Sequence, residues 1–190
     1  MKPKFKSIIN YQLSVINYIL LFMFSFLALS CSPSREKRLE SIQSLEGRMY
    51  GSEIFAFDKF KADSLIDAYT SFTDHFPKDS LAPVFLFKAA NMAITEEDGN
   101  KAVALFDRIY QEYPDHPKSA LAVFFKGYVY ENLIRNLYKA KEIYLQFIEK
   151  YPESDFADDA QMALQNLGKT PEQMIKEFEE RRKADSLSKK

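Results

Sequence analysis

Residues Gln111–Glu131 read QEYPDHPKSALAVFFKGYVYE. Two prolines stop one helix here, and a second helix rich in Ala, Phe and Tyr begins at once. The punctuation is not unique. His75-Phe76-Pro77, Glu112-Tyr113-Pro114 and Lys150-Tyr151-Pro152 recur at intervals of 37 and 38 residues. An aromatic residue next to proline ends a helix because the residue before proline is pushed out of the α region.

Upstream of each proline the apolar residues keep one register. Leu65, Tyr69 and Phe72 precede Pro77, Ala102, Phe106 and Ile109 precede Pro114, and Ala140, Tyr144 and Phe147 precede Pro152. The spacing i, i+4, i+7 is the buried stripe of an amphipathic helix. Downstream, Ala90 and Gly127 each lie thirteen residues after a proline. A small residue there lets a helix approach its neighbour closely. Helices Ser80–Thr95 and Lys118–Leu133 are thus one element in successive units. The unit is an α-hairpin closed by proline, which cannot bury both faces alone and must stack.

Composition agrees with this. Hydrophobic residues make up 46% and charged residues 28% of the 190, too apolar for disorder. The 5 Gly against 17 Phe and 11 Tyr favour helices packed through aromatic rings over a turn-rich β fold. A formal charge of −1 gives no reason to expect nucleic acid as a partner.

The first thirty residues are a different material. Lys2, Lys4 and Lys6 give a basic start, Ile19–Leu29 is a short uncharged apolar run, and Ser30-Cys31 follows. That order is a secretory signal. Ala28-Leu29-Ser30-Cys31 resembles the bacterial lipobox, whose cysteine is acylated and becomes the new N-terminus; Ala28 and the bulky Leu29 depart from its commonest form. The alternative is an uncleaved anchor over Gln12–Ser30, near the roughly 20 residues a spanning helix needs. Gln12, Ser14 and Asn17 would then sit in hydrocarbon. Several acyl chains, at about 0.8 kcal/mol per buried CH₂, would make lipid anchoring effectively permanent. Removing residues 1–30 leaves 23 basic and 27 acidic side chains, a net of about −4.

The repeated hairpins resemble the tetratricopeptide repeat over about Asp58–Leu167, with Ala102, Phe106 and Pro114, then Ala140, Tyr144 and Pro152, at its second-helix spacings. The first unit has Leu65 in place of Ala, and each junction is about three residues longer than usual. Such long junctions look like the bacterial envelope subgroup. It includes the repeat lipoprotein of the outer-membrane β-barrel assembly machinery and the repeat domain of the Tol–Pal-associated division coordinator. The resemblance implies an all-α, right-handed stack of about three hairpins with capping helices. It also implies protein partners in the envelope, with no cofactor and no small-molecule substrate.

The expected organisation is a signal peptide over 1–30, a lipidated tether over 31–33, a repeat domain over 34–168 and a C-terminal helix over 169–190 with a charged, frayed tail. Ser34–Tyr50 reads as a charged helix with a stripe of Leu39, Ile42, Leu45 and Met49, joined onward by Gly51–Phe57. Near the other end, Ser154 caps a helix stopped by Gly168, and Thr170-Pro171-Glu172-Gln173 resembles a capping box.

No constellation points to catalysis. Asp158-Asp159 and Glu96-Glu97-Asp98 sit at helix ends, where solvated acids are ordinary. His75 and His116 occupy equivalent junctions, far apart, and read as loop residues. No nucleophile elbow, P-loop, HExxH or CxxC occurs in the sequence.

Repeat geometry taken from the family assigns Val84, Phe87, Asn91 and Ile94, then Leu121, Phe124, Tyr128, Glu131 and Asn132, to the concave face. The candidate partner groove is accordingly Phe87, Asn91, Phe124, Tyr128, Glu131 and Asn132. The alternative is that terminal helices fold over these residues and make them ordinary core. Cys31 is expected to carry lipid, with Met1–Ser30 absent from the mature chain, and the intact mass of the membrane-fraction protein checks both. A chain retaining Met1 and a free Cys31 thiol would rule it out. The lipobox resemblance further implies outer-membrane delivery facing the periplasm, since Ser32 and not an aspartate follows the cysteine.

Overall fold

The structure, a computed structural model, describes residues 33–51 and 58–188, with side chains through 184. Cys31, the signal segment 1–30 and residues 52–57 of the first connection lie outside the described residues. Contacts divide the chain into Met1–Leu39 and Glu40–Lys190. In the first unit Ser34 opens a helix, its Oγ accepting from the Lys37 amide at 3.4 Å and its carbonyl from the Arg38 amide at 3.1 Å. The packing that follows is that of Glu40–Lys190.

Among the described residues there are helices and no strand. They are α1 Arg35–Tyr50, α2 Lys59–His75, α3 Ala82–Thr95, α4 Gly99–Glu112, α5 Pro117–Asn132, α6 Leu137–Lys150, α7 Ala157–Asn166 and α8 Pro171–Ser188. None of these is long and apolar enough to cross a membrane. Neighbours in sequence pack in order from α2 to α7, and α3 also touches α5. Helix α3 therefore meets its own partner α4, the preceding α2 and the first helix of the next hairpin, α5. This is the stacking of a tetratricopeptide-like array.

The junctions explain why the helices stop and restart where they do. Phe76, Tyr113 and Tyr151 leave the α region with φ near −129, −135 and −129° and ψ near 59, 54 and 54°. Each still donates its amide one turn back, to Phe72, Ile109 and Phe147. Two residues past each proline a side chain accepts the next free amide. Asp79 takes that of Leu81 at 2.9 Å, His116 that of Lys118 at 3.1 Å and Ser154 that of Phe156 at 3.3 Å. Ser154 thus acts two residues ahead of the cap position, which Phe156 occupies. His116 is a loop acceptor equivalent to an aspartate and a serine. His75 is likewise engaged locally, its Nδ1 lying 2.7 Å from the Ser71 carbonyl oxygen.

Second helices start on a different device. Asp58, Asp98 and Asn136 accept from the amides of Lys61, Lys101 and Lys139 at 3.2, 2.9 and 3.0 Å. Ahead of α8, the Thr170 amide donates to Gln173 Oε1 at 2.8 Å and the Gln173 amide to Thr170 Oγ1 at 3.3 Å, a reciprocal capping box. Gly168 stops α7 with φ of 77°.

The core is the repeated stripe. Leu65, Tyr69, Phe72, Ala102, Phe106, Ile109, Ala140, Tyr144 and Phe147 are all at most 1% exposed. Against the stripe, α5 comes closest at Gly127. A Cβ there would stand 2.6 Å from Tyr144 Cε1 and 2.8 Å from its Cδ1, so the ring occupies the space a side chain would need. The phenol of Tyr144 then reaches Glu131 Oε2 at 2.9 Å. A second such pair closes α1 onto α2, with Tyr69 donating to Glu46 Oε1 at 2.6 Å. Lys88 of α3 joins the same carboxylate oxygen at 2.7 Å.

Gly127→Leu is expected to cost about 1–3 kcal/mol by overpacking the Tyr144 ring. Tyr144→Phe is expected to cost about 1.5–3 kcal/mol, because it strips the donor from a partly buried carboxylate. Denaturant melts check both, and wild-type midpoints for the pair would contradict this packing.

Candidate partner-binding face

The face read from sequence is carried by α3 and α5, the first helices of consecutive hairpins. Phe87 is half-buried, its ring 5.7 Å from those of Phe106 and Phe125, with the Lys118 ammonium 4.5 Å over it. Phe124 is half-buried and packs inward, its ring 5.1 Å from Phe156, 5.7 Å from Phe147 and 6.0 Å from Tyr144. Glu131 is half-buried and engaged by the Tyr144 phenol. Tyr128 is 40% exposed, and exposed Asn132 donates its Nδ2 to the Tyr128 carbonyl at 3.0 Å.

Two hollows divide these residues. Asn91 lines one of about 270 Å³ with Glu46, Tyr50, Tyr69, Lys88, Met92 and Thr95, where α1 meets α3. Tyr128 and Asn132 line another of about 380 Å³ with Ile94, Glu97, Leu133 and Arg135. Tyr128, Asn132 and Ile94 thus line one hollow and Asn91 lines the other. Phe87 and Phe124 hold the aromatic packing behind the face.

One residue organises that packing and has no place in the family-based assignment. Phe125 contacts the rings of Phe87, Phe106, Phe124, Tyr128 and Phe156, at 5.7, 6.2, 5.5, 6.5 and 6.3 Å. Its signal in the sequence was the doubled Phe124-Phe125 that ends the continuous apolar run Ala120–Phe125. Rings at such offset and edge contacts contribute about 0.5–1.5 kcal/mol per pair beyond area burial.

Where α1 meets α3, and where α5 meets α6, the polar groups are paired. Burial pushes the Glu46 carboxyl up, but hydrogen bonds from Lys88 and Tyr69 outweigh it and hold the group below the usual carboxylate range. Burial first, then the adjacent carboxylates, push the Tyr69 and Tyr144 phenols well above their usual value. Both phenols are therefore donors across the physiological range. Among the described residues, no three His, Cys, Asp or Glu side chains are grouped so as to hold a metal ion.

This array of hairpins matches, over residues 48–185, the family of outer membrane lipoproteins designated YfiO. The chain belongs to that family. The match starts within α1 and ends within α8, so α2 to α7 lie wholly inside it. No curated protein matches the sequence. Membership places the chain with lipoproteins of the envelope and agrees with the tetratricopeptide-like stacking seen here.

A pH test follows from Glu46. Its folded-state pKa is depressed, so its contribution is present above the ordinary carboxylate range and is lost as pH falls through the lowered value. Glu46→Gln is expected to cost up to about 1 kcal/mol at neutral pH, since solvent still screens the pair with Lys88. Melts compared at neutral pH and near pH 3 should show the gap closing. A gap that widens on acidification would contradict the assignment.

Proposed function

We propose that the chain is a lipid-anchored, non-enzymatic scaffold that holds protein partners at the cell envelope, in the setting of outer-membrane protein assembly. The family match across 48–185 is the observation that carries this reading. Surface chemistry supports it. An exposed tyrosine beside the Asn132 side-chain amide, backed by an aromatic layer, suits an extended peptide or a helix. Cys31 supplies the anchor, and the body faces the periplasm from the outer membrane.

A second reading, self-association as an envelope organiser, rests on exposed apolar side chains at the C-terminal end. Met162, Met174, Ile175 and Phe178 are 56, 37, 60 and 61% exposed. Light scattering on the purified chain separates the two, since a monomer leaves the adaptor and a concentration-dependent dimer favours the organiser.

Placing a photo-reactive residue at Tyr128 in cells, followed by mass spectrometry, tests the scaffold directly. An envelope protein captured there is the expected result, and no capture from that face would sink the reading. With the partner in hand, Tyr128→Ala should lower capture by over tenfold, as for an interface residue contributing about 2 kcal/mol. It should change stability by about 0.5 kcal/mol or less. Phe124→Ala should instead cost about 3 kcal/mol of stability, because its ring packs against four others.

A further inference from the structure

Among the described residues, three helices, α3, α5 and α7, are each followed by one residue at positive φ. These are Glu97 at 59°, Arg135 at 61° and Gly168 at 77°. The position ends the helix in the left-handed conformation that glycine adopts without strain and other residues adopt at a cost. Between α7 and α8 the chain uses glycine. Between α3 and α4, and between α5 and α6, it places a carboxylate and a guanidinium instead.

The two strained residues are equivalent, each seventeen positions ahead of a terminating proline, Pro114 and Pro152. Packing gives no reason for the choice: both are exposed, and neither side chain has a partner among the described residues. They do share a location. Both line the hollow of about 380 Å³ that also contains Ile94, Tyr128, Asn132 and Leu133, whereas Gly168 lies outside it. Strain kept at a site that it does not stabilise points to a use for the side chain.

The chemistry of the hollow narrows that use. Ile94 and Leu133 are half-buried apolar surfaces, Tyr128 is an exposed ring, and Asn132 leaves its Oδ1 available to accept an amide. Opposite charges stand over this apolar floor, and the guanidinium fits a carboxylate in a bidentate manner. We propose that the hollow takes an extended segment of a protein partner, with an acidic side chain on Arg135, a basic one on Glu97 and an apolar one between them. This inference rests on the scaffold reading and adds which partner sequences fit.

The test uses the full chain, purified in detergent and immobilised, and a phage-displayed library of random dodecapeptides. Wild-type protein should enrich segments in which an acidic and a basic residue flank one or two apolar residues. Arg135→Glu should abolish the acidic preference, and Glu97→Lys the basic one. Arg135→Gly separates recognition from folding: it should melt no lower than wild type, yet bind a wild-type-selected peptide at least tenfold more weakly. Enrichment without the charge pair, or the same consensus for wild type and Arg135→Glu, overturns the proposal. If such peptides still cross-link at Tyr128, only the charge-pair subsite falls and the scaffold reading stands. If nothing is enriched, the proposal falls; if Tyr128 also captures nothing in cells, the scaffold reading falls with it.

Discussion

The rest of the array depends on a local steric conflict between proline and the residue before it. At Phe76, Tyr113 and Tyr151 that conflict forces the same departure from the helix, with φ and ψ agreeing to within several degrees. Because every second helix ends at the same dihedral exit, its stripe stands at a fixed distance and angle from the next helix. The acceptor two residues past the proline then turns the chain, whether aspartate, histidine or serine provides it. Identical exits are what allow a repeat to stack on the previous one without a new solution at each interface.

Within that frame the contact between paired helices is solved in two ways. The outer hairpins use a phenol and a carboxylate, Tyr69 with Glu46 and Tyr144 with Glu131. The middle hairpin holds Phe106 where Tyr69 and Tyr144 stand, and Ile94 where Glu131 stands. Donor and acceptor vanish together. A phenol without its carboxylate, or the reverse, would leave a desolvated polar group, which costs about 1–3 kcal/mol. The middle hairpin therefore keeps the shape and drops the polarity.

Much of this fold was legible in the sequence because its determinants are short-range. Proline exits, the i, i+4, i+7 stripe, the Thr170–Gln173 capping box and the Gly168 stop each depend on residues within two turns. The close approach at Gly127 could also be read, since only a missing side chain admits Tyr144. The candidate face was less legible. Whether Phe124 points outward or inward depends on Phe147 and Phe156, which lie 23 and 32 residues away. The hub role of Phe125 arises from rings on three helices and the segment leading into α7. Glu97 and Arg135 carry no periodicity at all; only their backbone angles distinguish them from other surface charges. The anchor belongs to a separate stretch, and its reading rests on residue order alone.

Nearest-neighbour packing has a thermodynamic consequence. Since α2 to α7 touch mainly the helices beside them in sequence, the array approximates a one-dimensional lattice whose stability sums units and the couplings between adjacent units. Opening one terminal hairpin forfeits a single coupling, while opening an internal one forfeits two. Protection against amide exchange should therefore be highest in the middle hairpin and fall toward both ends. The most persistent structure then lies around the hollow framed by the α3–α4 and α5–α6 turns, so a segment seated there meets the stretch of chain that opens least often.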